Sequence, residues 1–175
     1  GMFFLSRIDD EGQWIESYDV SPPVKQTLDA APDDPASFSE LLGGRDDYDF
    51  HLSRDNGEKS HVSGYDKLTG ATVVIDGITL QQTEFDYTER DAQGTVLRRS
   101  RGNEYINAEW RLFFSGPSEF EQDGAWLPID GSPKQFIFPG EKGYLSNMPI
   151  FDCEATMSSF QPDTNPAEAV SHDDL

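Results

Sequence analysis

The chain has 175 residues, of which 33 are acidic and 13 are basic, so its formal net charge is −20. This length corresponds to one domain with a hydrophobic core, and the single Cys excludes a disulfide framework or a cysteine-based zinc ribbon. The acid excess argues against nucleic-acid partners and anionic membrane surfaces, because lysine and arginine supply most of the affinity for phosphate groups. No apolar run approaches the roughly 18 residues that are needed to span a bilayer.

The beginning of the chain lacks the features of a secretory signal. The apolar run Phe3-Phe4-Leu5 is too short, no basic segment precedes it, and no cleavage site of small residues follows. The expected compartment is therefore the cytoplasm. At the other end, residues 161–175 combine few apolar residues with several acids, so we expect a flexible acidic tail there. Residues 1–160 are expected to form a single β-rich domain.

The N-terminal segment contains a short motif centred on a tryptophan. Gly12-Gln13-Trp14 is similar to the G-x-W motif at the first strand of lipocalins, and the similarity covers these three residues. Ser21-Pro22-Pro23 and a helical pattern follow where that family continues in strands. The chain is therefore not assigned to that family, and we expect Trp14 to anchor the N-terminal segment on the core.

Two short helices are predicted near the N-terminus. Ser21-Pro22 combines an N-cap residue with proline at the first helical position, and Val24 and Leu28 lie four residues apart on one helical face. Asp34-Pro35 repeats this start signal, and Gly43-Gly44 provides a stop signal for the second helix.

From about Tyr48 onward, apolar and polar residues alternate as they do in β-strands. Pairs of turn-forming residues such as Asp123-Gly124 and Asp130-Gly131 separate several of the alternating segments. Further strands are predicted at residues 73–75, 78–80, 83–88, 95–106, 109–115, 126–129, 135–138 and 150–160. The fold class is therefore mainly β, an antiparallel β-sandwich or a partly closed β-barrel with two short N-terminal helices.

Asp76-Gly77 is a strong signal for a two-residue hairpin loop. Such a loop places Ile75 opposite Ile78 and brings the apolar residues of both strands to one face. The alternation changes phase shortly after this hairpin, so a β-bulge is expected at Gln81-Gln82.

A second hairpin is predicted around the turn that follows residue 54. A three-residue loop at Asp55-Asn56-Gly57 places His51 opposite His61, whereas a loop of Asn56-Gly57 alone places the two histidines on opposite faces. The apolar pattern favours the longer loop, because the apolar residues of both strands then share the core face.

In that register Asp49, His51 and His61 lie on one face of the sheet. Two imidazoles and one carboxylate are suitable ligands for a zinc or iron ion. The alternative is an ordinary pair of solvent-facing histidines beside a tight turn, and no further ligand follows from the spacing.

The segment around residue 100 provides a second candidate site. Arg99, Arg101 and Tyr105 share a phase in a regular strand, and an arginine fork binds a carboxylate with two hydrogen bonds. These three residues are predicted to contact a ligand head group. Trp110 and Phe113 are predicted to form apolar walls around the rest of the ligand.

Two observations allow alternatives to this predicted ligand site. The arginines can instead lie in solvent and pair with Glu84, Asp86 or Glu89 of the preceding strand. Trp110 and Phe113 lie in opposite phases of their strand, so without a bulge only one of them can line a ligand site.

Common motifs of nucleotide-binding proteins, α/β-hydrolases, zincins and EF-hands are absent from the sequence. Their absence does not exclude enzymes in general. The expected function is non-catalytic: a module that binds a small apolar or carboxylate-bearing molecule, with no cofactor. One alternative is a metal-dependent enzyme that uses zinc or iron at Asp49, His51 and His61. Another is a structural or interaction protein that self-associates, as a homodimer, through an exposed strand edge.

Overall fold

A computed structural model describes residues 4–20 and 23–146. The chain divides into two compact units, Gly1–Phe136 and Ile137–Leu175. The described part of the second unit, residues 137–146, consists mainly of turns, in one of which the Glu141 amide donates to the Phe138 carbonyl. The predicted strand at residues 150–160 and the predicted tail at residues 161–175 lie outside the described residues.

The first unit is built on one antiparallel sheet in which every strand pairs with the next strand along the chain. The elements of the described residues are β1 (Phe4–Ile8), β2 (Trp14–Val20), β3 (Pro23–Leu28), α1 (Phe38–Leu42), β4 (Arg45–Arg54), β5 (Lys59–Ile75), β6 (Ile78–Asp91), β7 (Val96–Asn107), β8 (Leu112–Gln122) and β9 (Ala125–Asp130). The nine strands curl into a half-barrel. A mainly antiparallel β domain is thus confirmed, whereas the described residues do not form the two packed sheets of a sandwich.

Of the two predicted helices, the described residues contain only the second. The first prediction is wrong, because Pro23–Leu28 forms strand β3, which pairs with β2 on one side and β4 on the other. A spacing of four residues, as between Val24 and Leu28, fits an alternating strand as well as a helical turn. Two neighbouring strands satisfy the backbone polar groups of this segment, whereas a six-residue helix is marginal in isolation. Residues 21 and 22 lie outside the described residues.

Helix α1 begins three residues later than Asp34-Pro35 suggests. Its N-cap is Ser37, whose side-chain oxygen accepts a hydrogen bond from the Glu40 amide at 3.2 Å. Asp34 instead forms an isolated antiparallel bridge with Asp49, so the segment before α1 lies against the edge of β4. The predicted stop is confirmed, because Gly43 is the C-cap.

Two hydrophobic clusters form the core on one face of the sheet, which we call the inner face. The first lies under α1 and contains Phe38, Leu41 and Ile106, with Leu68 and Phe113 packed against it. The second contains Phe50, Leu52 and Val62, with Trp14, Leu28, Tyr48 and Tyr87 packed against it. Trp14 therefore anchors the N-terminal segment on the core, as its sequence context predicts.

The register predicted for the β4–β5 hairpin is confirmed. His51 lies opposite His61 and Phe50 lies opposite Val62. Gly57 closes the three-residue loop with a φ of +89°, a left-handed conformation that glycine adopts without steric cost. Alternation and turn chemistry therefore determine this register together.

The β5–β6 hairpin also has the predicted pairing, with Ile75 opposite Ile78. The bulge predicted at Gln81-Gln82 is wrong, because the irregularity of this pairing lies on the other strand, between Leu68 and Thr72 of β5. Residues 135–138 do not form the predicted strand; residues 131–138 have no regular secondary structure.

Candidate functional site

A cavity of about 330 Å³ lies on the inner face of the sheet. Strands β2, β4, β6 and β8 contribute aromatic side chains to its walls. These side chains are Trp14, Tyr48, Phe50, Tyr87 and Phe113. Both hydrophobic clusters therefore border the cavity, and its lining resembles that of pockets for small molecules, which are mostly apolar with a few polar groups.

Gly64 of β5 makes room for one of these aromatic walls. It pairs with Tyr48, and a Cβ atom at position 64 would lie 2.6 Å from the Tyr48 hydroxyl and would clash with the Asp86 carbonyl oxygen. The Tyr48 hydroxyl lies 3.4 Å from that same carbonyl. A glycine is therefore required where the tyrosine crosses the neighbouring strand.

Three carboxyl groups of the sheet also line the cavity, those of Asp46 on β4, Asp66 on β5 and Glu104 on β7. A fourth, that of Glu11, comes from the loop between β1 and β2, and its Oε1 pairs with Arg111 Nη2 at 2.6 Å. Asp46 and Asp66 lie directly opposite each other in the β4–β5 pairing. Asp46 is 3% exposed, and its Oδ2 accepts a hydrogen bond from the Ser37 amide at 3.0 Å. The Oδ1 atoms of both aspartates are buried without a hydrogen-bond partner. The wall of the cavity thus holds two buried acceptor atoms that lack a donor.

Burial raises the pKa of the three sheet acids of the cavity, Asp46, Asp66 and Glu104. Loss of hydration raises the pKa of Asp46 to about 6, that of Glu104 to about 7 and that of Asp66 to about 8. The charges of Glu104 and Asp46 add to the rise in the pKa of Asp66, and the Ser37 amide partly opposes the rise in the pKa of Asp46. The wall of the cavity therefore binds protons at a pH where ordinary carboxyl groups are ionised.

The phenols of the cavity stay neutral. Burial raises the pKa of Tyr48 and Tyr87 above that of an exposed tyrosine. The Tyr87 hydroxyl donates to Oε2 of Glu89 at 3.2 Å. Both tyrosines thus contribute aromatic surface rather than charge.

The predicted head-group residues of β7 share a face, but it is the face opposite to the cavity. Arg99, Arg101 and Tyr105 alternate with the cavity-facing positions of β7, so they lie on the outer face of the sheet. Arg99 Nη1 lies 3.1 Å from Oε2 of Glu121, and Arg101 Nε lies 2.5 Å from Oε1 of Glu119. Both arginines therefore pair with acids, as in the alternative to ligand binding, but the acids belong to the following strand and not to the preceding one.

The predicted apolar walls, Trp110 and Phe113, lie in different clusters. Phe113 lines the cavity and packs edge-to-face on Phe38, with ring centroids 5.3 Å apart. Trp110 packs against Phe114 and Phe136, with centroids 6.3 and 5.7 Å away. The structure therefore brings Phe113 to the cavity and separates it from the other four predicted residues.

The predicted metal-site residues do lie together. The rings of His51 and His61 stack with centroids 4.6 Å apart, and His61 Nε2 lies 2.6 Å from Oδ1 of Asp49. Asp33 joins them from the segment before α1, and its Oδ2 lies 3.9 Å from His51 Nδ1. Ligand atoms of Asp33, Asp49 and His51 lie within 4.8 Å of one another. The group lies at the surface, with the Asp33 side chain 77% exposed.

The sequence interpretation missed the acids of the cavity and Asp33. A signal for the former is present, because Asp46 is in phase with Phe50, Asp66 with Val62 and Glu104 with Ile106. An acid that alternates in phase with core residues points inward. Asp33 gives no such signal, because its position depends on the bridge between the loop and β4.

Comparisons of the chain with protein-family models, with curated proteins and with solved structures found no match. None of the helices in the described part of the chain is long and apolar enough to cross a membrane. What this protein does is therefore inferred from the geometry of its own residues.

Proposed function

We propose that this protein binds a small organic molecule in the cavity on the inner face of its sheet. The observation that carries the proposal is the aromatic-walled space of about 330 Å³ between two packed hydrophobic clusters. Ligand pockets in proteins have volumes of about 300–1,000 Å³, so this one is near the lower limit. It suits a ligand that consists of one ring and a short chain.

A carboxylate-bearing ligand at Arg99 and Arg101 is a weaker form of the same proposal. Both guanidinium groups already have a glutamate partner, and Arg101 also stacks over the Trp126 ring at 4.1 Å from its centroid. A ligand carboxylate would have to displace these partners. Binding in the aromatic cavity requires no such displacement.

Three probes that share a phenylethyl body test the proposal: neutral 2-phenylethanol, cationic 2-phenylethylamine and anionic 3-phenylpropanoate. We expect at least one of them to raise the Tm in proportion to the logarithm of its concentration. A ligand that binds only the folded state at 100 times its Kd stabilises that state by about 2.7 kcal/mol. No stabilisation by any of the three probes would contradict the proposal.

Two variants on β1 locate the binding site. Ser6 is exposed and lines the cavity, so Ser6→Phe places a ring at its rim without disturbing the core. Leu5, 66% exposed, points to the other face, so Leu5→Phe is the matched control. We expect Ser6→Phe to weaken probe binding about tenfold, or by about 1.4 kcal/mol, and Leu5→Phe to leave it unchanged. Equal affinities in both variants would place the probe elsewhere.

A second candidate function is metal binding at the surface group. It is favoured by the convergence of Asp33, Asp49 and His51 within 4.8 Å, with His61 beside Asp49. Mixed carboxylate and imidazole ligands suit zinc or ferrous iron. A metal-bound water at this position would be the reactive group of the alternative metal-dependent enzyme.

Titration with Zn²⁺ tests this second function. We expect the wild type to bind one equivalent, and His51→Ala and Asp33→Asn each to weaken binding about tenfold. Asp55→Asn removes an exposed acid from the nearby turn and serves as the control. Binding that is absent, or that is equal in all four proteins, would exclude a specific site.

A further inference from the structure

We infer that the ligand of the cavity carries a positive charge and is an organic ammonium compound. This inference rests on the proposed function and adds the chemical class of the ligand. Asp46, Asp66 and Glu104 come from three different strands, so the fold and not a local run of acids assembles this acidic wall.

Two acceptor atoms of this wall lack donors. Asp46 is 3% exposed and lines the cavity, yet its Oδ1 has no hydrogen-bond partner, and the same holds for the buried Oδ1 of Asp66. A buried acceptor without a partner costs about 1–3 kcal/mol of stability, and more when it is charged. An ammonium group offers up to three N–H donors together with the opposite charge. An ammonium group therefore supplies both the hydrogen-bond donors and the positive charge that the wall lacks.

The chain supplies a cation, Arg111, to Glu11 at the cavity, but the three acids of the sheet have none among the described residues. Among the described residues, no lysine or arginine lines the cavity, and none forms an ion pair with the three acids. The contrast is Glu89, which is 2% exposed and has Arg54 Nη2 at 3.6 Å. Glu89 thus has a built-in cation, whereas Asp46, Asp66 and Glu104 have none among the described residues.

The rest of the lining favours an organic cation over a metal ion. Calcium takes six to eight oxygen ligands, and magnesium retains several waters. The three cavity acids are not among the described groups whose ligand atoms lie within 4.8 Å of one another. The other walls are aromatic rings, which attract ammonium groups through their faces and contact an apolar body. A positive charge on an apolar molecule therefore matches both the acids and the aromatic rings of the lining.

Isothermal titration of the wild type with the three phenylethyl probes near neutral pH tests the inference. We expect 2-phenylethylamine to bind about tenfold or more tightly than 2-phenylethanol, and 3-phenylpropanoate to bind most weakly. Equal affinity for amine and alcohol, or a preference for the carboxylate, would overturn the ammonium assignment and leave the proposed function intact. Absence of binding by all three would overturn both. Displacement of the amine by Ca²⁺ at equimolar concentration would assign the site to a metal ion instead.

Charge-removing variants complete the test. Asp46→Asn keeps the size of the side chain and an acceptor for the Ser37 amide. We expect it to weaken amine binding about tenfold while 2-phenylethanol binding changes less than about twofold. Asp47→Asn removes the same charge from the exposed neighbour, which pairs with Arg45 on the other face. Equal losses in both variants would mean that net charge alone attracts the amine, and would overturn the inference.

Discussion

Asp66 shows how a single carboxyl group connects the cavity with the stability of the protein. Burial raises its pKa from 3.8 to about 8. Between these two values the folded protein holds a proton that the unfolded chain has released. The free energy of unfolding therefore decreases as the pH rises through this window, since the folded state binds more protons than the unfolded state.

Asp66→Asn is expected to remove this contribution to the pH dependence. As the pH is raised from about 5 to about 9, the free energy of unfolding of the variant should increase relative to that of the wild type. We expect this relative increase to be at least about 1.4 kcal/mol, the equivalent of one pKa unit. Urea unfolding of both proteins at the two pH values measures the difference. Asp47→Asn is the control, because Arg45 lowers the pKa of Asp47, so that this carboxyl group is ionised in both the folded and the unfolded state across the window and contributes no pH dependence there. A difference between wild type and Asp66→Asn that does not change with pH would contradict the prediction.

Single residues also show which parts of the candidate sites could be predicted. The pairing of His51 with His61 follows from alternation, since only one register brings the apolar residues to the core face. Asp46 and Asp66 were not recognised, because in a chain with 33 acids an aspartate is most simply interpreted as solvent-exposed. Phase relative to the core residues was the better criterion than residue type.

At the scale of elements, the strands with tight turns were predictable and β3 was not. The β4–β5 and β5–β6 hairpins have local turn signals that fix their partners. Strand β3 is determined by its two neighbours, to which it supplies backbone hydrogen bonds on both edges. The sequence of a six-residue segment contains no local signal for such non-local pairing.

The place where the Tyr48 side chain crosses β5 gives a prediction at this scale. Gly64→Ala places a methyl group against the Asp86 carbonyl of β6 and against the Tyr48 hydroxyl, so β5 and β6 must separate and Tyr48 must move. We expect a loss of about 1–3 kcal/mol in the free energy of unfolding, as for other overpacked sites. We also expect weaker binding of the phenylethyl probes, because Tyr48 forms part of the cavity wall.

Urea unfolding and probe titration of the same variant measure both effects. Ser63→Ala, one residue earlier in β5 and directed to the opposite face, is the control and should change neither quantity by much. Unchanged stability in Gly64→Ala would show that the two strands tolerate a side chain at the crossing.

At the scale of the whole sheet, strand order was accessible from sequence and curvature was not. Each strand pairs with the next one along the chain, as a series of alternating segments separated by turns suggests. Whether such a series forms a sandwich, a closed barrel or a half-barrel depends on the twist that accumulates over all nine strands. The inner cavity is a consequence of that curvature, and its acids come together through pairings far apart in sequence.

The net charge of −20 gives a prediction for the whole molecule. Repulsion among the excess acids destabilises the compact state near neutral pH, and salt screens it. The Debye length falls from about 30 Å at 0.01 M salt to about 3 Å at 1 M. Salt also weakens the exposed ion pairs, but each of those contributes only about 0.2–1 kcal/mol. We therefore expect the Tm near neutral pH to rise by several degrees when NaCl is increased from about 0.01 M to about 0.5 M.

The same titration near the isoelectric point separates screening from other effects of salt. The sequence pI is about 4.2, so close to that pH the net charge is small and there is little repulsion to screen. The rise in Tm should be largely lost there, and thermal unfolding followed by circular dichroism at both pH values measures it. An equal response at the two pH values would assign the effect to preferential hydration. A fall in Tm near neutral pH would mean that the surface ion pairs outweigh the repulsion of the acidic surface.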